Sequence, residues 1–344
     1  MGLKHLLKEA RYYHLLGKGH LKRMFIKFLL SNTILSKLVN TRAYNYLYNK
    51  AVEKNTKKVY PINLQIENTN SCNAQCIMCP HTKMQRKQSI MSFENFKKIC
   101  QNILPYEKIK LITITGFGEP FVDSGMIEKI KWLNEEYPKI KVDIYTNASL
   151  LTKEISNKIL DLNLHKINFS INGTKNSYKK IMGLDYGKTK KNIIYFLKRE
   201  KEKKQTFPLT NISLMVLKEN KEEIEEVVNF WQDKVDSIMA YLPSDWAGKL
   251  NIDTAVKNPF KFKRWPCGAL WKNITVDVEG NVIMCCRDYE SIVKFGNVLK
   301  QNIKKIKNSK KFRDLQKKQK KHDFSTPICK TCDNCFDSSL DWWA

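Results

Sequence analysis

Residues 72–80 read CNAQCIMCP, which sets Cys72, Cys76 and Cys79 four and then three positions apart. On one tight loop three thiolates converge on a single centre, and such soft ligands select iron–sulfur or zinc. A structural zinc wants four protein ligands; His81 is the nearest candidate for the fourth, and it follows Pro80 awkwardly. A four-iron cluster held by three cysteines instead leaves one iron with an open position, which is what catalysis on a metal requires. Three reduced core cysteines are a poor alternative, because Asn73, Gln75 and Pro80 share the loop. Six more cysteines lie between Cys267 and Cys335. Their spacing, ending in Cys-x₂-Cys-x₂-Cys, allows a zinc ribbon when taken alone. Cys100 falls on the buried face of an expected helix and reads as core.

These residues need elements to position them. From residue 59 a rhythm begins with VYPINLQIE (59–67), a buried strand, and MSFENFKKICQNI (91–103), a helix with Ser92 as N-cap. It continues through KIKLITIT (108–115), a helix near 125–136, KVDIYT (141–146), and a helix at 153–161 capped by Thr152. HKINFSI (165–171), a helical stretch to about 204, ISLMVLK (212–218), a Glu-rich helix at 221–233 and DSIMAYL (236–242) complete it. Strands that alternate with helices pair in parallel through right-handed crossovers. With six units, an incomplete barrel and an open doubly wound sheet both fit. In either, the site belongs at the carboxyl ends of the strands, and the cysteine loop directly follows the first of them. After residue 243 the rhythm stops, and strand-like pieces (WKNITVDV, NVIMCC) and a Lys-rich helix near 308–322 follow. The expected division is a basic extension over 1–55, a barrel over 56–243 and a small cysteine-rich domain over 244–344.

The 344 residues carry a formal charge of +27. Lysine is spread along the whole length without a nucleic-acid-binding motif, so solvated helix faces explain the charge and no nucleic-acid partner is expected. Residues 1–55 hold only two acids, Glu9 and Glu53, and place Met24, Phe25, Phe28 and Leu29 at helical spacing. Short amphipathic helices that cap the main domain are expected there; peripheral contact with a membrane surface is the sharper alternative. No apolar run reaches transmembrane length. The start lacks a cleavage site, and Leu6 breaks the myristoylation pattern. A cytoplasmic protein with reduced, metal-available cysteines is expected.

The loop and its surroundings resemble the radical S-adenosylmethionine (SAM) superfamily, whose signature is Cys-x₃-Cys-x₂-Cys after the first strand of a partial (β/α)₆ barrel. TGFGEP (115–120) resembles that family's GGEP element through Gly118, Glu119 and Pro120. YTNAS (145–149) resembles its TNG segment through Asn147, with Ala148 in place of glycine. SING (170–173) resembles S-x-D-G through Ser170, with Asn172 in place of aspartate; any polar role of Asn172 must then rest on its amide. Met78 holds a position that is often aromatic in the family. The resemblance implies that Cys72, Cys76 and Cys79 hold a [4Fe–4S] cluster whose open iron binds SAM. It also implies that Met78, Gly118, Glu119, Pro120, Asn147, Ser170 and Asn172 surround SAM. Reduction by a donor such as flavodoxin or ferredoxin would cleave SAM to methionine and a 5′-deoxyadenosyl radical, which abstracts hydrogen from an unactivated carbon.

The distal cysteines resemble the SPASM/Twitch extension of these enzymes, which holds auxiliary [4Fe–4S] clusters. The matching pieces are Cys267 before GALW (268–271), Gly280 and Cys285 in Gly-x₄-Cys, GNV (296–298) and CKTCD. Two fully ligated clusters would take four cysteines each, and adjacent Cys285 and Cys286 point to opposite faces of an extended segment. One auxiliary cluster is therefore expected, on Cys267, Cys285, Cys329 and Cys332, with Cys335 able to replace Cys329. A closed cluster beside the substrate would accept an electron, so the preferred reading is oxidation of a sugar-like or cyclitol-like small molecule, the basic surface suiting an anionic one. Peptide or protein modification is the second reading. Radical epimerisation, with Cys286 or Cys335 returning hydrogen, is the third. Tyr241, Asp245 and Trp246 are candidates for the barrel mouth.

Overall fold

The computed structural model describes residues 12–14, 46, 50, 62–241, 243–250 and 266–332. Cys335 and nearly all of residues 1–55 lie outside the described residues, and so do the capping helices expected there and the alternative membrane contact. Six parallel strands follow one another in chain order: β2 (Asn63–Ile66), β3 (Leu111–Ile114), β4 (Lys141–Thr146), β5 (Lys166–Ser170), β6 (Leu209–Met215) and β7 (Ser237–Tyr241). Consecutive order without a reversal distinguishes the two expected topologies. A doubly wound sheet changes direction at a switch point; this sheet does not, so right-handed crossovers put every connecting helix on one side. The result is an unclosed barrel.

Alternation along the strands separates two faces. Leu64, Ile66, Ile112, Ile114, Val142, Ile144, Ile167, Phe169, Ile212 and Leu214 are fully buried toward the helices. Each such side chain contributes about 1.5–3 kcal/mol relative to exposure. The opposite face presents Asn63, Gln65, Thr113, Asp143, Asn168, Asn211, Ser213 and Ser237. These residues bond across the sheet, Thr113 to Asn63 at 3.0 Å and Asn211 to Asn168 at 3.1 Å, and along β6, Asn211 to Ser213 at 3.1 Å. Two helix starts form as expected: the Ser92 hydroxyl accepts from Asn95 N ahead of α1 (Phe93–Ile103), and Thr152 accepts from Ile155 N ahead of α3 (Lys153–Leu160). Between them lies α2 (Met126–Glu136). Cys100 is fully buried on α1.

Three features differ from expectation. The long helical stretch after β5 divides into α4 (Tyr178–Met182) and α5 (Tyr186–Glu202). Gly183 ends α4 at φ +69°, and the Asp185 carboxylate caps α5 by accepting from Lys188 N. Within the N-terminal extension, Tyr12–His14 is a strand, β1, and not a helix; it pairs antiparallel with β7, whose outer edge offers free backbone groups. Finally, the sheet continues past β2. β8 (Asn273–Val276) pairs parallel with β2, and β9 (Asn281–Ile283) and β10 (Lys294–Asn297) extend it antiparallel, making ten strands among the described residues. Helix α6 (Ile224–Trp231) lies between β6 and β7 and α7 (Ala269–Lys272) just before β8; α8 (Ile303–Lys307), α9 (Lys310–Lys320) and α10 (Pro327–Thr331) follow β10. No described helix is long and apolar enough to cross a membrane.

Candidate metal centre and cofactor site

The loop bearing Cys72, Cys76 and Cys79 leaves the carboxyl end of β2 and is pinned by backbone bonds. Gln75 N donates to Met182 O at 3.0 Å and Ile77 N to Ile181 O at 2.9 Å, which fastens the loop to the end of α4. Ala74 N donates to Cys72 Sγ at 3.4 Å, and Cys79 N to Cys76 O at 3.1 Å. Burial pushes the Cys72 thiol up to about 11 and raises Cys76 and Cys79 as well; Cys76 also feels the charge of both others. Thiolates so placed need a cation, and a metal centre reverses this preference for the protonated form. Among the described residues no three His, Cys, Asp or Glu side chains stand at the distances of a single-ion site. The donor set, three mutually interacting soft sulfurs on one loop, fits a [4Fe–4S] cluster. His81 is engaged elsewhere, its Nε2 lying 3.0 Å from Asn70 O.

The segment after β3 packs against the root of this loop. A Cβ on Gly118 would stand 2.4 Å from Thr69 O and 2.7 Å from Ser71 O, so the backbones touch where only glycine fits. Glu119 N donates to Ser71 O at 2.9 Å. The buried Glu119 carboxylate accepts from Thr146 Oγ1 (2.6 Å), Asn147 N (2.7 Å) and Phe121 N (3.3 Å). Burial raises its pKa to about 7, against these three bonds. Asn147 is fixed in turn: its Nδ2 donates to Asn73 Oδ1 at 3.0 Å, and its side chain reaches Cys72. Pro120 opens a short turn, Pro120–Val122, that completes the segment. Ala148 adopts φ +58°, the left-handed conformation that the glycine of the resembled motif would take without cost.

Asn172 lies buried after β5. Its Oδ1 accepts from Met215 N at 2.7 Å, and its Nδ2 faces Met182 Sδ at 3.5 Å, so its amide joins α4 to β6. Ser170 ends β5 opposite Ser213. Met78 is buried, and its carbonyl accepts from the Trp246 indole at 2.9 Å. Trp246 also packs edge-on against Phe117 at 5.5 Å and under Arg287 at 5.0 Å. The next residue, Ala247, accepts through its carbonyl from Thr331 Oγ1 on α10. The 244–248 turn thereby links the first cysteine loop to the helix carrying Cys329. Asp245 Oδ1 is buried without a hydrogen-bond partner among the described residues, and Tyr241 closes β7.

The distal cysteines also gather. Burial raises the Cys285 thiol well above its usual range, reinforced by Cys286, Cys267 and Cys332. Cys329 is buried on α10, and Cys332 N donates to Cys329 O at 3.3 Å. Cys286 is exposed and within electrostatic reach of Tyr145 at the end of β4, whose phenol is pushed up to about 12 by burial, Asp143 and Cys286. Trp246, bonded to Met78 O and lying under Arg287, brings the Cys285–Cys286 segment to the side of the barrel that carries the first cysteine loop. Four described cysteines suffice for one closed cluster.

One joint escaped the sequence reading. Glu67, just past β2, forms a two-pronged ion pair with Arg86 at 2.8 and 2.9 Å, and Arg86 Nε donates to Tyr289 O at 2.7 Å. Glu67 also accepts from Phe117 N and Val278 N. It thus holds the cysteine loop, the β3 loop and the distal segment together. Only the rarity of an acid at the end of a buried strand could have signalled it.

Comparisons with known proteins agree with this layout. The sequence profile of the Radical SAM superfamily matches residues 66–230, and that of the SPASM iron–sulfur cluster-binding domain matches 267–335. The tungsten-containing aldehyde ferredoxin oxidoreductase cofactor-modifying protein of Pyrococcus furiosus is 24% identical over 169 residues, covering 48% of this chain and 47% of that protein. The SAM-dependent 2-deoxy-scyllo-inosamine dehydrogenase of Niallia circulans is 22% identical over 274 residues, covering 79% of this chain and 92% of the relative. The crystal structure of BtrN with AdoMet and 2-DOIA superposes with a TM-score of 0.55 at 19% identity, over 80% of this chain and 93% of that one. Streptococcus suis SuiB bound to its precursor peptide SuiA gives a TM-score of 0.60 at 16% identity, covering 86% and 80%.

Proposed function

The chain is a radical SAM iron–sulfur enzyme with a SPASM domain, and from that premise we propose that it oxidises a hydroxyl-rich small molecule of sugar or cyclitol type. Its cofactors are SAM, a [4Fe–4S] cluster and auxiliary iron–sulfur. In this reading Cys72, Cys76 and Cys79 hold the SAM-binding cluster, and Cys267, Cys285, Cys329 and Cys332 hold one auxiliary cluster. When bound, these groups supply a hydrogen-abstracting 5′-deoxyadenosyl radical and an electron acceptor. The observation that carries the proposal is the junction at Trp246, whose indole bonds Met78 O in the first cysteine loop and lies under Arg287, the residue after Cys285 and Cys286. With both groups bound, a substrate there would give up one hydrogen atom and one electron, and loss of its hydroxyl proton would complete a two-electron oxidation to a carbonyl.

The chain's own residues bind and orient. Glu119 holds Asn147, and Asn147 holds Asn73 and Cys72, which keeps the two loops around SAM in fixed relation. Met78, Gly118, Pro120, Ser170 and Asn172 complete that surround. The polar face of the sheet offers amides and hydroxyls to a polyol, and Asp245 Oδ1, without a hydrogen-bond partner among the described residues, offers an acceptor to a hydroxyl or amine. The length match to the dehydrogenase supports a small-molecule substrate. The electron donor is of flavodoxin or ferredoxin type.

Anaerobically purified protein should carry about eight iron per chain and release 5′-deoxyadenosine with SAM and reductant. The Cys76→Ala variant should release none; retained release refutes the assignment of the first loop. Conversion of cyclitols or aminosugars to ketones is the substrate test. Conversion of a peptide side chain instead, or inversion of a carbon without net oxidation, overturns the substrate class and leaves the cofactor reading standing.

A further inference from the structure

Helix α9 is two-faced, with lysines outward and Phe312 and Leu315 inward at helical spacing. The next inward position is Gln319, only 2% exposed. A buried amide costs free energy unless both ends are bonded, and here both ends are bonded to cysteine residues. Gln319 Nε2 donates to Cys329 Sγ at 3.1 Å, and Gln319 Oε1 accepts from Cys267 N at 3.1 Å. The orientation of the amide is fixed by chemistry. Cys267 N–H can only donate, so the oxygen must face it, which leaves the NH₂ group toward the Cys329 sulfur.

We propose that Gln319 is a positioning residue of the distal cluster, which sets the spacing of Cys267 and Cys329 and, through its N–H···S bond, raises the electron affinity of the bound cluster. The inference rests on the reading of Cys267 and Cys329 as ligands. An N–H donor aimed at a ligating sulfur favours the more negative, reduced state, and hydrogen bonds to sulfur are among the determinants of cluster potential. Groups that orient ligands commonly change metal affinity by about 10–100-fold when removed. An acceptor that draws an electron from a substrate radical gains from such a donor, and a structural site does not need one.

The test uses full-length, anaerobically purified protein holding both clusters. Gln319→Met keeps length and burial and removes the donor. In an EPR-monitored redox titration the distal signal, recognised by its indifference to SAM, should reduce with roughly tenfold lower electron affinity, about 59 mV for one electron. The same midpoint as wild type at full iron content overturns the proposal. Where Gln319→Met fails to retain iron, the wild type decides: ¹⁵N-glutamine labelling should give the reduced distal cluster a ¹⁵N coupling and a proton coupling lost in D₂O. Absence of both overturns the proposal. Cys267→Ala tests the ligand reading separately; it should lose about half the iron, and full retention sinks that reading whatever Gln319 does.

Discussion

Replacing Arg86 with methionine tests how the distal segment is fastened to the barrel. Arg86 is 12% and Glu67 6% exposed in their side chains, so the pair is largely removed from water. Loss of one partner from a buried pair costs about 3–5 kcal/mol, because the other charge stays behind. Glu67 would keep two backbone donors, Phe117 N at 3.3 Å and Val278 N at 3.1 Å, which places the loss at the lower end. The lost Arg86–Tyr289 bond contributes about 1 kcal/mol more. With an unfolding entropy of about 2.1 cal/mol/K per residue, a loss of about 3–5 kcal/mol lowers the melting midpoint of this chain by about 4–7 °C. The assay is calorimetry on anaerobic protein at matched scan rate. Adding Glu67→Gln removes the stranded charge, so the double variant should recover at least about 1 kcal/mol relative to simple addition. A single variant that melts within a degree of wild type, or a double variant whose losses simply add, refutes the reasoning.

Gly118→Ala forces a methyl group onto the carbonyls of Thr69 and Ser71; about 1–3 kcal/mol of overpacking and loss of iron from the first site are expected, read by melting and iron assay. Ala148→Gly should leave the melting midpoint unchanged or slightly higher, because relief of the left-handed conformation, about 1–2 kcal/mol, offsets the added freedom of the unfolded chain, about 0.4–1 kcal/mol; a clear fall counts against the strain. Glu119 gives a pH signature. Its folded pKa of about 7 lies above its ordinary 4.5, so the folded state binds the proton more tightly. Its contribution to stability is full below about 4.5 and is lost as pH rises toward 7. The difference in melting midpoint between wild type and Glu119→Gln should shrink or reverse across that window, and a flat difference contradicts the shift.

Much of this was legible in the sequence because it is local. Alternating strands and helices, the Ser92 and Thr152 caps and the spacing of Cys72, Cys76 and Cys79 are each written within a few residues. The break at Gly183 and Asp185 was equally local, a glycine stop followed by a capping acid, and continuous helical periodicity hid it. What the sequence concealed depends on distant partners. Pairing of β8 with β2 joins residues 210 apart through four-residue strands that carry no address. Gln319 reads as one more polar residue in a Lys-rich helix until α9 turns it toward two cysteines. The role of Glu119 was legible as a motif, but its partners were not, since Thr146 and Asn147 arrive on a different strand.

The pairing of β8 with β2 also bears on the order in which the protein is made. β2 emerges 210 residues before the strand that covers its outer edge. At about 5–20 residues per second, that edge stays open for roughly 10–40 s during synthesis. An open edge is a template for another chain, and β2 is short, which limits the hazard. For most of that interval the Cys72–Cys79 loop lacks the Trp246 indole on Met78, and Arg287, which lies over that indole, is made later still. The first cysteines to be synthesised thus wait for residues 246–287 before the sheet edge and the loop are covered.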